Sequence, residues 1–160
     1  MSSISRLRSF DHVGITVADL DKATAFFVGL GLEVEGRALM EGEFVDTVIG
    51  IPNSRSEIVT LRPPGGGTGL ELSRFIHPNH EPGSPNAMST ELGLRNVCFE
   101  VDDLQAVLDR VAADGYGLVW WRRSVRGHLA HGVRARTGGN HRRPGAANRA
   151  TTSRITKIVR

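Results

Sequence analysis

Cysteine is nearly absent from this chain of 160 residues. The single Cys98 excludes an intramolecular disulfide and suits a reducing compartment. No apolar run approaches the roughly 18 residues that a membrane helix needs. The opening MSSISRLRSF has no apolar core of a secretory leader, so the expectation is a cytoplasmic protein, neither secreted nor in contact with a membrane. What remains, 39% hydrophobic and 23% charged residues, suffices for the core of one ordinary domain or two small half-domains.

Acid is missing from the last 41 residues altogether. All 17 acidic residues and 9 of the 20 basic ones fall in residues 1–119, a net charge of −8, while residues 120–160 carry 11 bases and no acid. A basic arm of this kind ordinarily points to nucleic acid or an anionic membrane. Here Trp120-Trp121-Arg122-Arg123, Arg134-Ala135-Arg136 and His141-Arg142-Arg143-Pro144 show neither alternation nor apolar periodicity, and no helix or RNA-binding motif organises the two tryptophans. Nucleic acid is therefore not the expected partner, and the segment reads as disordered.

Residues 1–119 carry a legible order of elements. Val13, Ile15 and Val17 alternate with His12, Gly14 and Thr16, which predicts a strand. Asp19 then caps a helix whose apolar stripe is Leu20, Ala23, Phe26, Phe27 and Leu30, ending near Gly29 and Gly31. Four extended candidates follow, Leu32–Ala38, Glu43–Ile49, Ser56–Leu61 and Gly69–Phe75, one of them expected to be a loop or hairpin arm. A first β-α-β-β-β module thus spans 1–76, and the Pro- and His-containing stretch 77–91 is a linker. A second module opens at 92. At a constant offset of 84, Asn96-Val97-Cys98-Phe99-Glu100-Val101 lies over His12 to Val17, and Asp103 repeats Asp19 as a cap for Leu104, Val107, Leu108 and Val111, with Gly115 as the stop.

The repeat predicts further strands after Leu118, and the basic composition of 120–160 speaks against them. Read one nucleotide later, codons for Trp120 to Arg149 are compatible with an acid-containing, alternating chain that includes a Gly-Pro-Glu-Gly turn and an apolar Ile-Ile-Val-Ala-Leu-Ala strand. Residues 120–160 therefore read as a frame-shifted end, and the second module as incomplete, represented by residues 92–119 alone.

Three segments, FDHVGITVADLDKATAFFVGLGLEVEG, GLELSRF and GLRNVCFEVDDLQAVLDRVAADG, resemble the vicinal-oxygen-chelate superfamily of glyoxalases, bleomycin-resistance proteins and dioxygenases over about residues 7–119. The resemblance implies an α+β fold of paired βαβββ modules. It also implies, in many members, a divalent metal (Fe, Mn, Ni, Zn or Mg) held by residues near the start and end of each module's sheet. His12 matches the first ligand position and Glu71, between Leu70 and Leu72, the second. Asn96 stands where metal-binding relatives usually have His. A neutral amide is a poor ligand for a transition metal, so Asn96 is expected to line the substrate site. The fourth position falls in the altered tail, where the sequence offers no acid.

Each candidate has a plainer reading. His12 could simply hydrogen-bond within its strand, although it faces away from Val13, Ile15 and Val17; Glu71 between two leucines is costly unless paired or metal-bound. His77-Pro78-Asn79-His80 has ligand-like spacing but lies in the linker and is read as an exposed loop. Pro63 to Gly67 lacks the Lys-Ser/Thr of a phosphate loop and is read as a hairpin turn. Cys98 is read as a small core residue. The function expected is a metal-dependent enzyme of glyoxalase-like lyase, isomerase or ring-cleaving dioxygenase type acting on a small organic substrate, with Glu71 as ligand or base. The alternative is a metal-free protein that sequesters a small molecule. Relatives often form homodimers, so a second copy is an expected partner.

Overall fold

The computed structural model describes residues 7–83, 90–94, 96–118, 123–125, 128–135 and 153–159. The chain divides into two compact units, Met1–Pro82 and Gly83–Arg160.

In the first unit, strand β1 (His12–Thr16) buries Val13 and Ile15 more deeply than the residues between them. Helix α1 (Leu20–Gly29) begins where Asp19, in extended backbone, accepts the Lys22 N–H at 2.9 Å. Gly31, at φ 104°, supplies the left-handed turn that ends it. Leu20, Ala23, Thr24, Phe26 and Phe27 are its buried face, and the two phenylalanine rings meet edge to face at 5.2 Å. Each buried ring is worth roughly 1.5–3 kcal/mol relative to leaving it in water.

Strands β2 (Glu33–Glu41), β3 (Arg55–Arg62) and β4 (Gly69–His77) complete a sheet of order β1-β4-β3-β2, with β1 and β4 parallel and the other pairs antiparallel. Because side chains alternate across a strand, the sheet sorts into two faces. Val59, Leu61 and Leu72 are fully buried on the side that α1 covers. Ile58, Thr60, Glu71 and Ser73 stand half-buried on the other side, in register with His12, Gly14 and Thr16. The Thr16 and Ser73 hydroxyls, 3.4 Å apart, mark that shared face.

Glu43–Ile49 is not extended. It forms helix α2 (Glu43–Ile49), which corrects the expectation of a strand, loop or hairpin arm there. Gly42 and Gly50, both at positive φ, bracket it, and the Thr47 hydroxyl donates back to the Glu43 carbonyl at 2.8 Å. Asp46 accepts from the Asn53 N–H at 2.6 Å and from the Ser54 N–H and hydroxyl at 2.8 and 2.7 Å, fixing the turn into β3. Phe44, Val45, Val48 and Ile49 in a seven-residue segment fit either period, and these local bonds decide for the helix.

In the second unit, β5 (Cys98–Val101) leads to α3 (Leu104–Ala113), where Asp103 accepts the Ala106 N–H at 3.0 Å and Leu104 and Val111 are buried. Cys98 is exposed, which corrects its reading as a core residue; it alternates with Val97, Phe99 and Val101 and so takes the opposite face.

Beyond α3 come β6 (Tyr116–Leu118), β7 (Arg123–Val125), β8 (His128–Ala135) and β9 (Ser153–Val159). The sheet order is β5-β9-β8-β6, with β7 on β8. The expectation of no strands after Leu118 is thus corrected for 123–125, 128–135 and 153–159. Strand ladders are made by backbone groups that any residue but proline supplies. Ile155, Thr156, Ile158 and Val159 add a β-branched cluster that the basic composition masked. The expected disorder elsewhere in 120–160, Trp120 and Trp121 included, lies outside the described residues. The two sheets differ in strand direction: β9 runs antiparallel to β5 and parallel to β8, whereas β4 runs parallel to β1 and antiparallel to β3.

Candidate functional site

The parallel pairing of β1 with β4 puts His12 opposite Gly69 and Gly14 opposite Glu71, so His12 and Glu71 share the face away from α1, one step apart on neighbouring strands. A strand spacing of ~4.8 Å and a rise of ~3.3 Å per residue set their Cα atoms roughly 8 Å apart, within the combined reach of an imidazole and a carboxylate. Gly14 lies between them, and a Cβ built there would meet nothing within 4 Å. Space is therefore open beside both side chains.

Glu71 is half-buried, and among the described residues no cation or hydrogen-bond donor engages its carboxylate. Its neighbours Leu70 and Leu72 point into the core. His12 is differently placed: its Nδ1 lies 2.7 Å from Asp11 Oδ2, which leaves Nε2 as the nitrogen available to a ligand. The hydrogen bond from His12, then the Arg62 charge, holds the Asp11 carboxyl below the usual carboxylate range. Arg62 is itself kept charged, first by Glu35, which accepts from Nε at 2.7 Å, and then by Asp11.

Asp11, Arg62 and Glu35 were not among the sequence candidates. Asp11 was detectable as the residue preceding His12. Arg62 and Glu35 become neighbours only through the β2–β3 pairing, where a bulge between Val34 and Gly36 admits Glu35 as an extra residue.

Asn96, the repeat counterpart of His12, is exposed and lies two residues before β5. It belongs to the second unit, so it is not brought onto the sheet that carries His12 and Glu71. The fourth ligand position falls in the tail, whose side chains lie outside the described residues. Among the described residues no group of three or more His, Cys, Asp or Glu side chains is arranged to hold a metal ion. His77 is exposed but is the last residue of β4, paired with Arg55, which corrects its reading as part of a linker loop; the Pro63–Thr68 connection turns on a Gly66 N–H to Pro63 carbonyl bond of 2.9 Å, as expected of a hairpin turn.

Two hollows lie elsewhere on the first unit, and neither takes in His12 or Glu71. One of about 370 Å³ is lined by Asp19, Asp21, Arg37, Glu57 and Arg74 among others, and one of about 620 Å³ by Glu41, Asp46, Asn53, Ser54, Arg55 and His77 among others. Three ion pairs take up every arginine in them: Arg37 with Asp21 at 3.2 Å, Arg74 with Glu57 at 3.3 Å and Arg55 with Glu41 at 3.0 Å. His12 Nε2 and the Glu71 carboxylate, which no donor or cation among the described residues engages, make the better site on the face away from α1.

Comparison with known proteins bears on this geometry. A family model described as the Glyoxalase/Bleomycin resistance protein/Dioxygenase superfamily matches residues 11–135. The crystal structure of a glyoxalase family protein from Bacillus cereus superposes with a TM-score of 0.78 at 26% identity, covering 98% of this chain and 98% of that chain. No curated protein matches the sequence. No helix among the described residues is long and apolar enough to cross a membrane.

Proposed function

This chain belongs to the glyoxalase/bleomycin resistance protein/dioxygenase superfamily, and from that membership we propose that it is a metal-dependent enzyme acting on a small organic substrate that carries neighbouring oxygens. The observation that carries the reading is the placement of His12 Nε2 and the Glu71 carboxylate, which no cation or donor among the described residues engages, on one face of the first sheet, with open space at Gly14 between them.

The donors suit a divalent ion of borderline hardness. An imidazole nitrogen and a carboxylate oxygen are what Mn, Fe, Ni or Zn sites use, and Asp11 on the far nitrogen is the outer partner that ligating histidines commonly have. A divalent cation held there supplies Lewis acidity to the substrate oxygens. The chain's own residues do the rest. His12 and Glu71 fix where the substrate oxygens bind, and the Thr16 and Ser73 hydroxyls on the same face can hydrogen-bond a polar substituent. Glu71, which no cation among the described residues neutralises, can take a proton from a substrate carbon or hydroxyl and return it. On this reading the reaction is of glyoxalase-like lyase, isomerase or ring-cleaving dioxygenase type.

One observation favours a second reading. Asn96 supplies a neutral amide where a third ligand would stand, which suits a protein that sequesters a small molecule without metal. Thermal unfolding of the full chain with and without Mn, Fe, Ni or Zn separates the two. An ion that binds only the folded state raises the transition by mass action; no shift with any of the four supports the sequestering protein.

The tail bears on which ligands exist. We infer that residues 120–160 are read from a shifted frame. What supports this is the acid-free composition of 120–160 and the reversed direction of β9 relative to its counterpart β4.

A further inference from the structure

The surroundings of His12 determine more than its place on the strand. An ionised carboxylate can only accept a hydrogen bond, so in the 2.7 Å contact with Asp11 Oδ2 the hydrogen sits on His12 Nδ1 and the lone pair on Nε2. Asp11 is held from several directions. Its carbonyl accepts the Gly69 N–H at 2.7 Å and Arg62 Nη1 at 3.2 Å, while its Oδ1 faces Arg62 Nη2 at 3.4 Å. Arg62 is anchored in turn by Glu35 Oε1 at 2.7 Å and the Gly67 carbonyl at 2.5 Å. The anchor is the sheltered member: the Arg62 side chain is 26% exposed against 69% for Asp11. A guanidinium fixed at four oxygens on β2, the β3–β4 turn and the entry to β1 loses little further freedom in holding Asp11.

We propose that Asp11, clamped by Arg62, is a positioning residue that locks His12 as its Nδ1–H tautomer and presents Nε2 to a divalent cation on the face away from α1. The cation rests on the function proposed above; the tautomer does not. Asp11 touches neither substrate nor cation and acts through His12 alone. The role extends to Arg62 and Glu35, which no ligand pattern in the sequence marks.

The test is nitrogen NMR of the 15N-labelled full chain without metal, at alkaline pH, followed by Mn²⁺ titration. The His12 ring of the wild type is expected to show a protonated Nδ1 and an unprotonated Nε2. In Asp11→Ala the protonated nitrogen becomes Nε2, and Mn²⁺ affinity falls about 10–100-fold, as for loss of other outer partners of metal-bound histidines. A purely structural role for Asp11 would leave the tautomer unchanged in a folded variant, and that result overturns the proposal. So does a wild-type ring already protonated at Nε2, which decides the matter even if Asp11→Ala does not fold. A wild type that binds no Mn²⁺ yet shows the Nδ1–H tautomer refutes the metal reading and leaves the clamp standing.

Discussion

Gly69 is the position where a single methyl group should do most damage. It opens β4 directly opposite His12, its N–H donates to the Asp11 carbonyl at 2.7 Å, and a Cβ built on it would lie 2.7 Å from the Leu61 carbonyl oxygen. Carbon–oxygen contacts settle near 3.3–3.6 Å, so β3 and β4 must part by roughly 0.6 Å in Gly69→Ala. Leu61 cannot yield easily, since its side chain is fully buried in the core beside Leu70. Forcing extra volume into such a place costs about 1–3 kcal/mol. Replacing glycine also stiffens the unfolded chain, which returns about 0.4–1 kcal/mol where the native backbone is compatible. Gly65 supplies the control: it lies in the Pro63–Thr68 turn that leads into β4, its φ is not in the left-handed range, and a Cβ there meets nothing within 4 Å. The entropic gain is common to both variants, so the gap between them isolates the clash at about 1–3 kcal/mol. Urea unfolding followed by far-ultraviolet circular dichroism should place the Gly69→Ala midpoint below wild type and Gly65→Ala at or slightly above it, with equal slopes. Equal midpoints for the two variants would refute the close approach of β4 to Leu61.

Other perturbations follow from the same structure. Leu72→Ala empties a site with no exposed surface beneath α1 and should cost about 2–5 kcal/mol in the same assay. Asp46 has its carboxyl held below the ordinary value of 3.8, first by the Ser54 hydroxyl and then by the Ser54 and Asn53 N–H groups. Its contribution is therefore present above that ordinary value and lost as pH falls through the lower folded one. Asp46→Asn should be less stable than wild type at neutral pH, with the difference closing in acid; a gap that widens in acid would contradict the assignment. The natural protein should have an intact mass different from the 17.4 kDa of this sequence if its tail is read in another frame, and a matching mass would end that reading.

Much of the first unit was legible because its signals are local. Asp19 caps α1 and Asp103 caps α3 as their spacing predicted, and the alternation around His12 assigned its face correctly. The repeat at offset 84 identified two similar halves, and the family match agrees with the resemblance drawn from the same residues. Helix α2 was missed because seven residues carry too little periodicity, and the turn bonds of Asp46 that stabilise it come from residues after its end. Strand β9 was missed because arginine and lysine within it concealed a β-branched cluster. That His12 and Glu71 share one face of the first sheet was readable from strand phase. The place of Arg62 and Glu35 was not, since their meeting with Asp11 depends on a bulge and on pairing across three strands.

The proposed function stands on His12 and Glu71 acting together as a cation-binding pair on the first sheet. Calorimetric titration of Mn²⁺ into the full chain, His12→Ala and Glu71→Gln measures it directly. Saturable binding to the wild type is expected, with at least a tenfold loss, about 1.4 kcal/mol, in each variant. Wild-type binding that survives both substitutions, or no binding to the wild type at all, would contradict it.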